Sequence, residues 1–77
     1  MSRQLPALKP RQVIRALERA GFELRRIRGS HYQLVHGSNP ALRTTVPYGT
    51  RDIKRQLLHA ILKDCELSVD KFLDLLP

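Results

Sequence analysis

Apolar side chains recur at helical spacing from residue 10 to residue 20, alternate loosely from 22 to 46, and return to helical spacing after residue 50. Lys9-Pro10 opens the first helix, because a proline suits the first turn. Val13, Ile14, Leu17 and Ala20 form its apolar stripe. Arg11, Arg15 and Arg19 recur every four residues as a basic ridge on another face. Gly21 predicts the helix end. Residues 22–28 read as a strand, Gly29-Ser30 as a turn and residues 31–36 as the returning strand, a hairpin in all. Gly37-Ser38-Asn39-Pro40 is a loop. Residues 42–46, rich in β-branched side chains, predict a third strand that Pro47 ends or borders at an edge. Thr50 is expected to cap a second helix, with Asp52 in its first turn. Ile53, Leu57, Ala60 and Ile61 would form its apolar face, and Arg51, Arg55 and His59 a second four-residue series. Asp64-Cys65-Glu66 closes that helix. Ser68 would cap a short last helix, with Asp70 in its first turn and Val69, Phe72, Leu73 and Leu76 apolar. Residues 1–8 read as a loose arm.

The predicted order is helix, three strands, helix, short helix, which is an α+β arrangement. Three antiparallel strands need helices across one face to bury it. The other face can stay open to solvent or to a partner. Seventy-seven residues make one domain. So small a chain has no room for both a core and a deep pocket. Any site should be shallow, with a substrate larger than the site.

Charge sharpens this picture. Residues 1–63 carry 13 Lys and Arg against 3 Asp and Glu, a net +10; residues 64–77 carry 1 against 4, a net −3. Ten of the basic residues are Arg, whose planar fork grips phosphate. A nucleic acid is the expected partner. The alternatives are a basic surface that serves solubility alone and one that docks an acidic protein. Cys65 stands alone, so no internal disulfide and no zinc knuckle can form; it reads as a small semi-buried side chain in a reducing compartment. No apolar run has signal-peptide length and none could span a membrane, so the cytoplasm is the expected location.

The candidate chemistry centres on Arg28-Gly29-Ser30-His31-Tyr32. An imidazole can take or give a proton near neutral pH. Metal-free RNA cleavage needs that ability: a base removes the 2′-hydroxyl proton, the oxygen attacks phosphorus, and an acid protonates the departing 5′-oxygen. Arg25, Arg26, Arg28 and the N–H groups of Gly29 and Ser30 lie close by to stabilise the charge that gathers on phosphorus. Alternation places His31, Gln33 and Val35 on one strand face and Tyr32 and Leu34 on the other. Gly29 would supply a positive φ or let phosphate approach the backbone. Ser30 would orient His31 or bind phosphate. Arg51, Lys54 and Arg55 form a second basic cluster. Tyr32 and Tyr48 are candidates for stacking on a base, whereas Phe22 and Phe72 read as core. His36, at a loop rim, and His59, on a basic helix face, are weaker candidates. The three separated histidines have no metal-ligand spacing, so neither metal nor cofactor is expected. His31 also fits a plainer role, a surface histidine that only contacts a phosphate.

In Leu17-Glu18-Arg19-Ala20-Gly21-Phe22, Arg28-Gly29-Ser30-His31-Tyr32, Thr45-Val46-Pro47, Ile61-Leu62-Lys63 and Leu67-Ser68-Val69-Asp70-Lys71-Phe72 the chain resembles the HicA (YcfA-like) toxin family. The resemblance covers residues 9 to about 73, and Gly-Phe followed by Gly-Ser-His at this spacing is its most specific part. The resemblance implies a double-stranded-RNA-binding-domain-like fold, α-β-β-β-α, here with a short C-terminal helix. It implies a metal-independent endoribonuclease toxin that cleaves mRNA and slows translation, with His31 catalytic and Gly29 and Ser30 matching the glycine and serine before it. It further implies a HicB-like antitoxin that binds the toxin and blocks its site, and operator DNA reached only through the antitoxin complex. Two departures stand out. Gly49 occupies the position where family members often carry a histidine after Val-Pro, and Gln56-Leu57-Leu58 replaces a Gly-Thr-Leu pattern. They suit a divergent or weakened enzyme, and a non-catalytic RNA-binding module remains the alternative.

Overall fold

Pro10 brings a fixed φ to a position whose N–H would have no partner, and α1 runs from it over Pro10–Arg19. The Gln12 side chain folds back to accept the Lys9 N–H at 2.9 Å. Val13, Ile14, Ala16 and Leu17 are buried, while Arg11, Arg15 and Arg19 stay exposed. Gly21 then turns the chain at φ +101°, and a Cβ there would meet His36 Nε2 at 2.8 Å, so both conformation and space demand glycine.

In the computed structural model, which describes residues 3–77, the chain continues through β1 (Phe22–Arg28), β2 (His31–His36), β3 (Arg43–Pro47), α2 (Arg55–Asp64) and α3 (Val69–Leu75). This is the α-β-β-β-α order of a double-stranded-RNA-binding-domain-like fold, followed by α3. The sheet is antiparallel with β2 in the middle. A two-residue turn joins β1 to β2, with Gly29 at φ +60° in the first central position, as a type II′ turn requires.

Side chains alternate across the sheet. Leu34 of β2 faces the helices and is fully buried, with Thr44 and Leu24 as its cross-strand partners. Tyr32, His36, Val46 and Phe22 share that face by register. In β1 the pairing passes from Leu24 to Arg26 and leaves Arg25 without a partner. This β-bulge reverses the strand's facing. Ile27 therefore pairs with Tyr32 on the helix side, and Arg26 and Arg28 pair with Gln33 and His31 on the other. Thr44, buried under α2, donates its hydroxyl to Asp64 at 3.1 Å and ties the end of that helix to β3.

Several boundaries depart from the sequence reading. The third strand starts and ends one residue later than expected, and Pro47 is its last residue, on the edge strand. Thr50 does not cap α2 and Asp52 is not in its first turn: Lys54 is the N-cap. The cause lies elsewhere in the chain. Ile53 donates its N–H to the Leu8 carbonyl at 2.8 Å and is buried there, which holds the segment extended until Lys54. Lys9 Nζ also binds the Thr50 carbonyl at 3.2 Å and the Asp52 carboxylate at 3.1 Å. With the start displaced, α2 buries Leu58, Ile61 and Leu62, while Leu57 and Ala60 are exposed.

The expected loose arm is anchored over its described part. Leu5 and Leu8 are 1% and 4% exposed within the core cluster. Arg3 binds Asp74 at 2.9 Å and lies 3.9 Å from Asp70, both on α3. Met1 and Ser2 lie outside the described residues. Ser68 does cap α3, accepting the Lys71 N–H at 3.1 Å, and Phe72 is fully buried. Cys65 is buried at the end of α2; desolvation, with the Asp64 carboxylate beside it, pushes its thiol up to about 12, so it remains protonated at neutral pH.

The end of α2 carries a residue that chemistry disfavours. Leu67 N–H bonds the Leu62 carbonyl and Glu66 N–H the Lys63 carbonyl, a Schellman motif with Glu66 at φ +55° where glycine is usual. Glu66→Gly is expected to raise stability by about 0.5–1 kcal/mol, the relief of left-handed strain less the entropy of a freer unfolded chain, measurable as a higher urea midpoint. Leu5→Ala is expected to cost about 2–5 kcal/mol in the same titration, as a core truncation does; a cost within about 0.5 kcal/mol would return residues 3–8 to the status of a loose arm.

Candidate functional site

The face of the sheet turned away from the helices is largely open among the described residues; Gln33, Val35, Arg43 and Thr45 line a hollow of about 470 Å³ there with Leu57, Ala60 and Asp64 of α2. Register assembles this face in rows. Arg28, His31 and Pro47 form the row next to the turn; Arg26, Gln33 and Thr45 the next; Glu23, Val35 and Arg43 the last. Rows on one face repeat every second residue, so they stand roughly 7 Å apart. Arg26, Arg28, His31, Arg43 and Thr45 are exposed, and Gln33, Val35 and Pro47 are half-buried.

His31 is the first residue of the central strand. Its ring makes no hydrogen bond to a described residue. No carboxylate shares its row. Glu23, two rows away, is held by Arg25 at 2.9 Å, and Asp52 is held by Lys9. A Ser-His-Asp arrangement is therefore not built here. What surrounds the imidazole is cationic: Arg28 beside it and Arg26 in the next row, neither of them in an ion pair with a described carboxylate. The N–H groups of Gly29 and Ser30, both exposed, have no backbone acceptor among the described residues. The Ser30 carbonyl accepts the Tyr48 N–H, which ties the turn to the segment after β3. A Cβ on Gly29 would meet nothing within 4 Å, so this glycine serves the turn's backbone and leaves its surroundings open.

The other expected site residues divide. Arg51 and Lys54 line a cleft of about 400 Å³ with Pro47, Gly49 and Leu57, and Pro47 is the strand partner of His31. The second basic cluster thus adjoins the histidine row. Arg55 borders a different hollow, with Pro6 and Ala7. Tyr32 is not on the open face. It lies on the helix side, half-buried, with its ring stacked on Tyr48 at 4.3 Å and 15°. Each tyrosine already occupies a face of the other's ring.

The remaining histidines have different surroundings. His36 Nδ1 accepts the N–H groups of Ser38 and Asn39 at 3.1 and 3.2 Å, and its ring meets Phe22 edge-on at 5.1 Å, so it fixes the loop after β2. His59 is exposed on α2. No group of three or more His, Cys, Asp or Glu arranged to hold a metal ion occurs among the described residues. Among the described residues no helix is long and apolar enough to cross a membrane. Thr45 and Arg43 also stand on the open face, where alternation along β3 places them. Arg43 folds back on the loop, donating to the Pro40 carbonyl at 3.0 and 3.2 Å.

Comparison with curated proteins gives no match for this sequence. The family model for the HicA toxin of bacterial toxin–antitoxin pairs matches residues 10–67 of the 77. That span begins with Pro10 of α1, takes in the whole sheet and the Gly29-Ser30-His31 turn, and ends just past α2. On that match the chain belongs to the HicA toxin family of bacterial toxin–antitoxin systems.

Proposed function

We propose that this toxin is an endoribonuclease that cleaves mRNA, with His31 as its proton-transfer residue. The observation that carries the reading is an exposed, unpartnered imidazole beside Arg28 on an open cationic face. An exposed face suits a long flexible substrate, and single-stranded RNA can lie along the rows. In the reaction a base removes the 2′-hydroxyl proton and the oxygen bonds to phosphorus. The bond from phosphorus to the 5′-oxygen breaks, and that oxygen takes up a proton. The products are a 2′,3′-cyclic phosphate and a 5′-hydroxyl. His31 performs one of the two transfers and a water molecule the other. Arg26, Arg28 and the Gly29 and Ser30 N–H groups meet the negative charge of the phosphorane. Arg51 and Lys54 hold the neighbouring phosphates. Binding of a HicB-like antitoxin covers this face, and operator DNA is reached only through that complex.

One observation favours a second reading, an RNA-binding module without cleavage. Gly49 is exposed with open space around it, so the histidine common in the family is missing and no side chain at that position replaces it.

Labelled RNA separates the two. Wild type is expected to cleave it, and His31→Ala to cleave about 10²–10⁴-fold more slowly, with RNA affinity within a few-fold and an unchanged unfolding curve. Equal cleavage by the variant removes His31 from the chemistry; absence of cleavage by wild type favours the binding module.

A further inference from the structure

The edge strand β1 carries a feature that the cleavage reading leaves unused. Its outer edge pairs with nothing among the described residues. From Glu23 to Arg28 every residue is exposed. Two of them are large and apolar: Leu24 at 39% and Ile27 at 54%. Both lie on the helix side of the sheet, beyond the cover that α1 gives Phe22. Arg26 and Arg28 lie on the opposite side of the same strand. From Leu24 to Arg28 the edge therefore has an apolar side and a basic side, while Glu23, also on the open side, is held by Arg25.

We infer that β1 is a docking edge for an extended segment of the antitoxin in which apolar and acidic residues alternate, added as a fourth strand. A strand laid beside β1 presents its side chains to the two faces in turn. Those on the helix side would meet Leu24 and Ile27, which are apolar. Those on the open side would meet Arg26 and Arg28, neither of which has an ion-pair partner among the described residues. A second copy of this chain fits less well: an antiparallel pairing that sets Leu24 against Ile27 also sets Arg25 of each copy against Arg26 of the other, and like charges across strands oppose pairing. A nucleic acid suits the arginines but leaves Leu24 and Ile27 in water. Only the alternating segment satisfies both sides of the strand.

The inference rests on membership of a toxin–antitoxin family and not on the cleavage proposed above. A toxin that binds the segment but cuts no RNA would leave it standing.

The probe is a seven-residue peptide alternating valine and glutamate, titrated into the full chain and followed by backbone amide shifts. Saturable binding is expected, with shifts and slowed amide exchange concentrated in Phe22–Arg28. Ile27→Asp and, separately, Leu24→Asp are each expected to weaken it about tenfold or more. Both positions are exposed, and an unchanged unfolding curve shows that the fold persists. Replacing valine by glycine, or glutamate by lysine, in the peptide should weaken binding at least as much. No saturation at millimolar peptide overturns the inference. So does binding indifferent to both substitutions, or shifts centred on Gln33 and Thr45. Self-association of the free chain that Ile27→Asp abolishes assigns the edge to a second copy. Protection of Leu24 and Ile27 by a short RNA assigns it to nucleic acid.

Discussion

Burial of Leu34 against the helices fixes the facing of β2, and the bulge at Arg25 carries that facing across to β1 in altered phase. Side chains on a strand alternate with a period of two, so a slip of one residue moves a whole set to the wrong face. With Leu34 inside, His31 must point out. In β1, alternation from Phe22 without interruption would put Arg26 and Arg28 inside with Leu24. The unpaired Arg25 prevents this. It places Ile27 opposite Tyr32 and sends Arg26 and Arg28 to the side of His31. The two-residue turn at Gly29 then locks the register, because its tight geometry leaves no room for slippage.

Much of this arrangement was legible because its causes are local. The hairpin strands over residues 22–28 and 31–36 match the sequence reading, since Gly21 and Gly29-Ser30 mark their limits and both glycines take positive φ. His31 and Gln33 on one face followed from alternation alone. The bulge was present as the irregular spacing of Phe22, Leu24 and Ile27, but spacing cannot tell a bulge from an ordinary break in pattern. The start of α2 was not legible. Thr50 and Asp52 look like a helix N-terminus, yet Ile53 answers to Leu8 and Asp52 to Lys9, both far away in the chain. The phase of α2 shifted with its start, which is why Leu57 and Ala60 are exposed where Leu58 and Leu62 are buried. Leu5 and Leu8 gave no periodic signal because so short a stretch has no period. Tyr32 looked available for base stacking because nothing in the sequence near it announces Tyr48 as its partner.

The distribution of acidic groups explains why the open face keeps its charge. Asp70 and Asp74 sit beside Arg3, Asp52 beside Lys9, Glu23 beside Arg25, and Asp64 accepts from Thr44. Exposed pairs of this kind add little stability. Their greater effect is on the field. Each carboxylate that pairs elsewhere leaves Arg26 and Arg28 uncompensated, and unlike charges in the surroundings are drawn to that face. The acidic C-terminal segment, which could have folded back over the sheet, is instead packed on α1 and α2 through Phe72, with Arg19 donating to the Leu75 carbonyl at 3.3 Å.

His31 lies exposed on the sheet surface beside the cleft of Arg51 and Lys54, so a partner that covers the surface can control it. The geometry makes one form of control economical. Arg26 and Arg28 belong both to the open face, where a phosphate would lie, and to the edge strand, where another strand would add. Carboxylates from an added strand and the phosphates of an RNA would need the same guanidinium groups. Exclusion of one by the other then needs no movement of the toxin. It follows from two arginines that a single bulged residue has turned to the side of His31.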